Sequence, residues 1–212
     1  MGEMNRTSHA PRSHAAGFSG ERFCRTVAFC CLLGGVLVWM AASWADAASS
    51  GPGHVPVLLE LRQPRVVVLK SARKVHLFDG DTLMRTFPIV LGPEPTGQKL
   101  RAGDGRTPEG RYRICSKNRE SPNHRFLGIS YPDRAAAKRG LADGLISAGE
   151  SAAIYRAQEL GQCPSWTTAL GGGIGFHGGA GAGTQTAGCI GLLDEHVTVL
   201  FNVLRIGDEV EI

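Results

Sequence analysis

The chain carries no large excess of charge of either sign. Its 212 residues hold 23 Lys and Arg against 19 Asp and Glu, a formal net charge of +4. Residues 1–45 account for four Arg and two Glu, and the remainder for 19 basic and 17 acidic residues, so neither part holds a basic block. That balance gives no electrostatic footprint for nucleic acid, which is not expected as a partner. No segment repeats internally. Nor is the composition that of a disordered chain: 42% apolar and 20% charged residues are ordinary for a globular protein. The length suits one domain of moderate size with extensions.

One long uncharged run is present. "TVAFCCLLGGVLVWMAA" follows a segment that is basic on balance and ends at Arg25, and "SWADAA" then places small residues at alternate positions. A basic start, an apolar stretch and an A-x-A-like site are the parts of a secretory signal, with cleavage after Ala45 or Ala47. The rival is an uncleaved anchor, because Thr26 to Ala45 is about long enough to span a bilayer. In that case the anchor is the chain's expected membrane contact. Residues 1–45 are thus read as the targeting segment, 46–63 as a linker and 64–212 as the folded domain, exported to a periplasm or cell wall. Export makes the cysteine count informative. Cys24, Cys30 and Cys31 fall in the targeting segment, leaving Cys115, Cys163 and Cys189. An odd number in an exported domain leaves one thiol over. Cys115 and Cys163 fit a disulfide, and Cys115 fits equally well as a small buried hydrophobe.

Past the linker, "RVVVLKSARKVHLFDGDTLMRTFPIVLG" alternates apolar and polar residues around an Asp79-Gly80 turn, the pattern of strands joined by a hairpin. "RYRICSK", "LGISYP", "GGGIGFHGG" and "DEVEI" read as further strands. "DRAAAKRGLADG" holds helix formers between Asp133 and a glycine stop. Ser147 and Glu150 make a capping-box pattern ahead of a second helix ending near Gly161, and "DEHVTVLFNVLRIG" reads as a third. Many strands with two or three helices set between them indicate a β-rich α+β domain with mixed sheets.

The chemistry concentrates in "GGGIGFHGGAGAGTQTAGCIGLLDEH", residues 171–196. Its Gly173, Gly175 and Gly178 spell a dinucleotide fingerprint, but such a fingerprint must open a helix, and "GAGAGTQTAG" is too rich in glycine to be one. A phosphate loop needs a lysine after its second glycine, and none follows Gly183. A zinc site from His177, Cys189 and His196, with His124, matches no compact ligand spacing. No metal or organic cofactor is expected. A thiol site fits better. Cysteine attacks as the thiolate, and an imidazole within hydrogen-bond reach removes the proton. A strand ending in His177, a glycine-rich reversal and a return to Cys189 bring the two together. Backbone N–H groups near Gly188 and Cys189 then suit an oxyanion. A nucleophile with a depressed pKa would also alkylate quickly at neutral pH, whereas a structural cysteine would not.

"HGG…TAGCIGL" resembles the active-site signature of the L,D-transpeptidase catalytic domain (YkuD-like). The similarity extends through "GRTPEGRYRI" and "LGISYPD" upstream and "DEHVTVLFNVLRIGDEVEI" downstream, covering nearly all of residues 64–212. It implies a bacterial-envelope enzyme acting on peptidoglycan stem peptides, with 64–212 its catalytic domain. By position, Cys189 is implied as nucleophile and His177 as the residue that activates it. Gly178 matches the position whose carbonyl orients the histidine, Thr186 the Ser/Thr of the motif, and Gly188 the glycine before the cysteine. The implied reaction is attack on the carbonyl of the third, diamino-acid residue with loss of the terminal D-alanine, followed by transfer to an amine or to water. A non-catalytic wall-binding module is the remaining alternative, though pure binding needs no nucleophile. Ala187 and Gly191 depart from the His and Arg of many relatives. "GLISAGESAAIYRAQELGQCPSWTTALGGG" resembles an inserted helical lid. Arg111, Arg113, Lys117 and Arg125 are read mainly as a solvated basic face, with contact to a substrate carboxylate as the alternative.

Overall fold

The computed structural model describes residues 61–181 and 183–212; the expected targeting segment and most of the linker lie outside the described residues. Within them the chain runs β1 (Pro64–Leu69), β2 (Lys74–Asp79), β3 (Thr82–Pro88), β4 (Arg111–Asn118), β5 (Phe126–Ile129), α1 (Arg134–Ala142), α2 (Ala148–Glu159), β6 (Gly175–His177), β7 (Ile190–Gly191), α3 (Asp194–Val203) and β8 (Glu209–Glu211). The domain is a β-rich α+β fold in which eight strands form one mixed sheet, ordered β3-β2-β1-β8-β4-β5-β6-β7. The Asp79-Gly80 turn joins β2 to β3 as the sequence indicates, with Gly80 at φ 56°. β8 returns to the middle of the sheet, parallel to β1 and antiparallel to β4.

Local chemistry accounts for the helices. Asp133 accepts the Ala136 N–H at 2.8 Å and opens α1, while Gly144 at φ 67° stands just past its end. Ser147 and Glu150 form the full capping box of α2, and Gly161 at φ 65° closes it. α1 packs closely beneath the following segment: a Cβ at Gly140 would lie 2.6 Å from Leu170 Cδ2. Gln158 ties α2 to the sheet by donating to the Ser130 and Pro132 carbonyls at 2.6 and 3.0 Å.

The period of two along a strand divides β5, β6 and β7 into two faces. Leu127, Phe176 and Ile190 stand side by side in register, all buried, near α3, whose Val197 and Leu200 are buried too. The opposite face carries Gly128 beside Gly175, and Phe126, His177 and Gly191 in the next row. Lys117 does not belong to a solvated basic face. Its Nζ donates to the Phe201 and Leu204 carbonyls at 2.6 and 2.7 Å and so closes the C-terminal end of α3, with the Arg125 guanidinium 5.1 Å from the centroid of the Phe201 ring.

Cys115 on β4 and Cys163 beyond α2 form a disulfide across 48 positions, which resolves the two sequence readings of Cys115 and leaves Cys189 as the free thiol among the described residues. A loop of that size implies about 4 kcal/mol from the lost freedom of the unfolded chain. The double substitution Cys115→Ser, Cys163→Ser is expected to lower the unfolding free energy by roughly that amount. Denaturant titration of both proteins, with and without reductant, measures it; reductant should then shift the parent and leave the variant unmoved.

Candidate active site

β6 ends at His177 and β7 begins one residue after Cys189. The two strands are parallel, with Phe176 opposite Ile190 and His177 opposite Gly191. Continuing this register back by one residue sets Cys189 beside Gly175, two positions from His177 and therefore on the same face. Sequence placed these two residues on either side of a reversal. The sheet puts them on one face of neighbouring strands.

The imidazole is oriented by its own following peptide. Nδ1 of His177 lies 2.7 Å from the Gly178 carbonyl oxygen. A carbonyl only accepts, so Nδ1 carries a proton, and in the neutral ring the lone pair is on Nε2. The Gly178 peptide is fixed in turn. Its N–H donates to the His124 carbonyl at 3.0 Å, and the next N–H, of Gly179, donates to Asp194 Oδ1 at 2.7 Å. Thr198 closes the ring of contacts: its hydroxyl donates to the Asp194 carbonyl at 2.8 Å and lies 2.9 Å from His124 Nε2. Asp194 and His124 thus position the carbonyl that orients His177. Sequence reading missed both roles, although the first-turn acid of α3 was visible as Asp194. Gly178 is required for this closeness, since a Cβ there would lie 2.4 Å from the Asp194 carboxylate.

The thiol is half-buried and its Sγ donates to the Gly173 carbonyl at 3.4 Å, not to His177. Burial pushes its pKa up from the ordinary thiol value, against a backbone hydrogen bond from Gly175 and the Lys99 ammonium, which act the other way. Exclusion of water is the largest of these influences and outweighs both stabilising contacts. Thr186 braces the turn into β7, its hydroxyl donating to the Cys189 carbonyl at 2.7 Å and accepting from the Gly188 N–H at 3.2 Å. The Gly188 N–H is therefore engaged by Thr186 and does not stand free. Gly188 sits at φ 122°, where a Cβ would lie 2.6 Å from the Arg106 carbonyl.

That carbonyl belongs to a loop built on Asp104. Its carboxylate accepts from the N–H groups of Leu100, Arg101 and Arg106 and from Lys99 Nζ at 2.7 Å. Burial alone would raise the Asp104 pKa; the Lys99 ammonium and the three N–H groups outweigh it and hold it at about 2. Lys99 is buried and also donates to the Arg101 carbonyl at 3.1 Å.

The remaining sequence candidates lie apart from the thiol. His196 stacks on Phe87 with centroids 4.9 Å apart. Arg111 and Arg113 line a polar cavity of about 420 Å³ at β1, β8 and β4. Among the described residues, no group of three or more His, Cys, Asp or Glu is placed to hold a metal ion.

A free thiol and an oriented imidazole on one face of a mixed sheet define the class as a thiol–imidazole protein on a β-rich α+β scaffold. The chain belongs to the L,D-transpeptidase catalytic domain (YkuD) family, whose model matches residues 63–212. Among solved structures it is similar to the helical cell shape determining protein Pgp2 of Campylobacter jejuni, at 20% identity and TM-score 0.46, covering 70% of this chain and 46% of that one. It is similar also to L,D-transpeptidase 1 of Mycobacterium tuberculosis, at 16% identity and TM-score 0.40, covering 70% and 60%. Bd1075 of Bdellovibrio bacteriovorus matches at 16% identity and TM-score 0.47, covering 71% and 47%. The chain thus spans about half to three-fifths of the length of these structures. No curated protein matches the chain.

A carboxylate held at about 2 in the folded protein contributes stability above its unfolded value near 3.9 and loses it as pH falls between the two. At neutral pH this amounts to roughly 2 kcal/mol. Asp104→Asn is expected to be less stable than the parent by at least about that much at pH 7. The gap should narrow from pH 4 to pH 2, as read by urea unfolding across that range.

Proposed function

We propose that the chain is an exported peptidoglycan L,D-transpeptidase that works through a Cys189 thioester on stem tetrapeptides. The observation that carries this reading is the state of His177. With Nδ1–H committed to the Gly178 carbonyl, Nε2 is left as a base on the face that bears Cys189. The Cys115–Cys163 disulfide supports export, since such bonds persist in oxidising compartments. Membership of the family supports the peptidoglycan substrate.

In this reading, His177 Nε2 takes the Sγ proton as the thiolate attacks the carbonyl carbon of the third, diamino-acid residue. The C–S bond forms, and the tetrahedral oxyanion collapses with cleavage of the bond to the terminal D-alanine. The proton on Nε2 leaves with the D-alanine amine. An amine of a second stem then attacks the thioester, gives its proton to Nε2, and releases the thiol as the new amide forms. Thr186 and Gly188 hold the turn that presents Sγ, and Gly178 holds the base.

Intact-protein mass spectrometry with a tetrapeptide-stem muropeptide tests the proposal. The parent should gain the mass of the donor less one alanine, and Cys189→Ala should gain nothing; no adduct on the parent would sink the reading. His177→Ala should slow adduct formation by about 10²- to 10⁴-fold, the usual range for loss of a general base. Adding an amine acceptor then shows how far the adduct transfers and how far it hydrolyses.

Burial of the thiol gives a pH signature. Burial raises the Cys189 pKa, so the thiolate is expected to form at higher pH than in an exposed cysteine. Iodoacetamide alkylation is expected to be slow at pH 7 and to climb past pH 9. A plateau already reached at pH 7 would contradict the desolvated setting described above.

A further inference from the structure

Beside Cys189 the sheet surface is left almost bare of side chains, and two aromatic rings occupy it. A Cβ at Gly175 would lie 2.8 Å from Phe126, and one at Gly128 would lie 3.0 Å from the same ring. The Phe126 ring therefore lies across both glycines, on the face that carries His177 and Cys189. Trp166 meets Phe126 edge to face with centroids 6.1 Å apart. The indole rests on Gly172 and Gly173, where added Cβ atoms would lie 2.5 Å from Trp166 Cα and 3.4 Å from its ring. Gly173 supplies the carbonyl to which Sγ donates. The aromatic pair thus begins one peptide away from the thiol.

Trp166 is nevertheless 45% exposed. A ring of this size, seated on Gly172 and Gly173 against a neighbouring aromatic, yet open to solvent, presents apolar area that the fold itself does not cover. Its segment is held at three points. Cys163 is bonded to Cys115, Leu170 packs on Gly140, and the Leu170 carbonyl accepts from Tyr131 Oη at 3.2 Å. From Gln162 to Gly173 the segment carries no charged side chain, so a neutral, apolar portion of a ligand matches it better than a carboxylate.

We propose that Trp166, seated with Phe126 on this glycine floor, is the docking wall for the aliphatic side chain of the residue whose carbonyl Cys189 attacks. The proposal rests on the thioester reading above and names its substrate determinant. The methylenes of the diamino acid lie on the indole, and the amino end of that side chain reaches water past the exposed edge. Trp166 is a specificity-determining residue and takes no part in proton transfer.

The test uses the full chain with Trp39→Phe and Trp44→Phe, which leaves Trp166 as its one tryptophan. Two muropeptide stems serve as probes, one with lysine at the third position and one with diaminopropionate, three methylenes shorter. With Cys189→Ala added, the lysine stem is expected to shift Trp166 emission in a saturable way. In the active protein, Trp166→Ala should raise KM for the lysine stem about tenfold or more, as expected when several methylenes lose an apolar partner. It should change kcat less than threefold and leave KM for the short stem unchanged. A merely structural role would move both stems alike, and that result would overturn the proposal. Acylation without any emission change, or emission that depends on protein concentration alone, would also overturn it and leave the thioester reading standing. Saturable emission without acylation would remove the thioester reading, and with it the proposal, leaving Trp166 only as a residue that binds the stem.

Discussion

Gly128 and Gly175 face each other across β5 and β6, and the Phe126 ring, the Ser116 hydroxyl and the Leu127 carbonyl take the space their absent Cβ atoms leave. Much of the site depends on this gap. On the far side of the same strands, Leu127, Phe176 and Ile190 make a continuous apolar row under α3, so the strands are anchored from one side only. The other side is free to carry residues chosen for chemistry. A side chain at Gly175 would collide with the Leu127 carbonyl and the Phe126 ring; one at Gly178 would collide with the Asp194 carboxylate that helps to hold the peptide aiming His177. Glycine here serves to keep space empty next to a packed core.

The thiol and its base are supported by separate structures. His177 is aimed through Gly178 by His124 and Asp194, on the side of α3. Cys189 is aimed through Thr186 and Gly188, which rest on the Arg106 carbonyl and so on the loop that Asp104 gathers. Burying Lys99 and Asp104 is costly for each ion taken alone, and is offset by their 2.7 Å contact and the three N–H groups on the carboxylate. That arrangement also sets a positive charge near the thiol, which opposes the effect of burial without outweighing it.

Much of this was legible in the sequence because it is local. The Asp79-Gly80 turn, the Ser147–Glu150 capping box and the alternation of apolar residues in the strands each depend on neighbours a few positions away. The family signature likewise placed Cys189 and His177 in one short stretch. What stayed hidden is non-local. Nothing in the spacing of Cys115 and Cys163 decides that they bond, because the contact is made by α2 folding back towards β4. Asp194 looks like an ordinary first-turn acid until the Gly179 N–H is seen to point at it. Lys117 reads as surface charge, yet it closes the end of α3 through two carbonyls more than 80 positions away. The direction of the thiol pKa depends on how much water reaches Sγ, which no pattern of residue types encodes.

The place of β8 bears on how the molecule is made. Residues 209–211 pair with β1 on one edge and β4 on the other, and in the sheet order they are the link between the β1–β3 meander and the strands that carry the thiol. Without that segment, the two halves of the sheet have no common strand. Pairing so distant in sequence is slow to nucleate, because chain closure must be completed before the contacts reward it. Closing the sheet at β8 is therefore the step that joins the meander to the chemistry, and it is the long-range step on which the rate of folding depends.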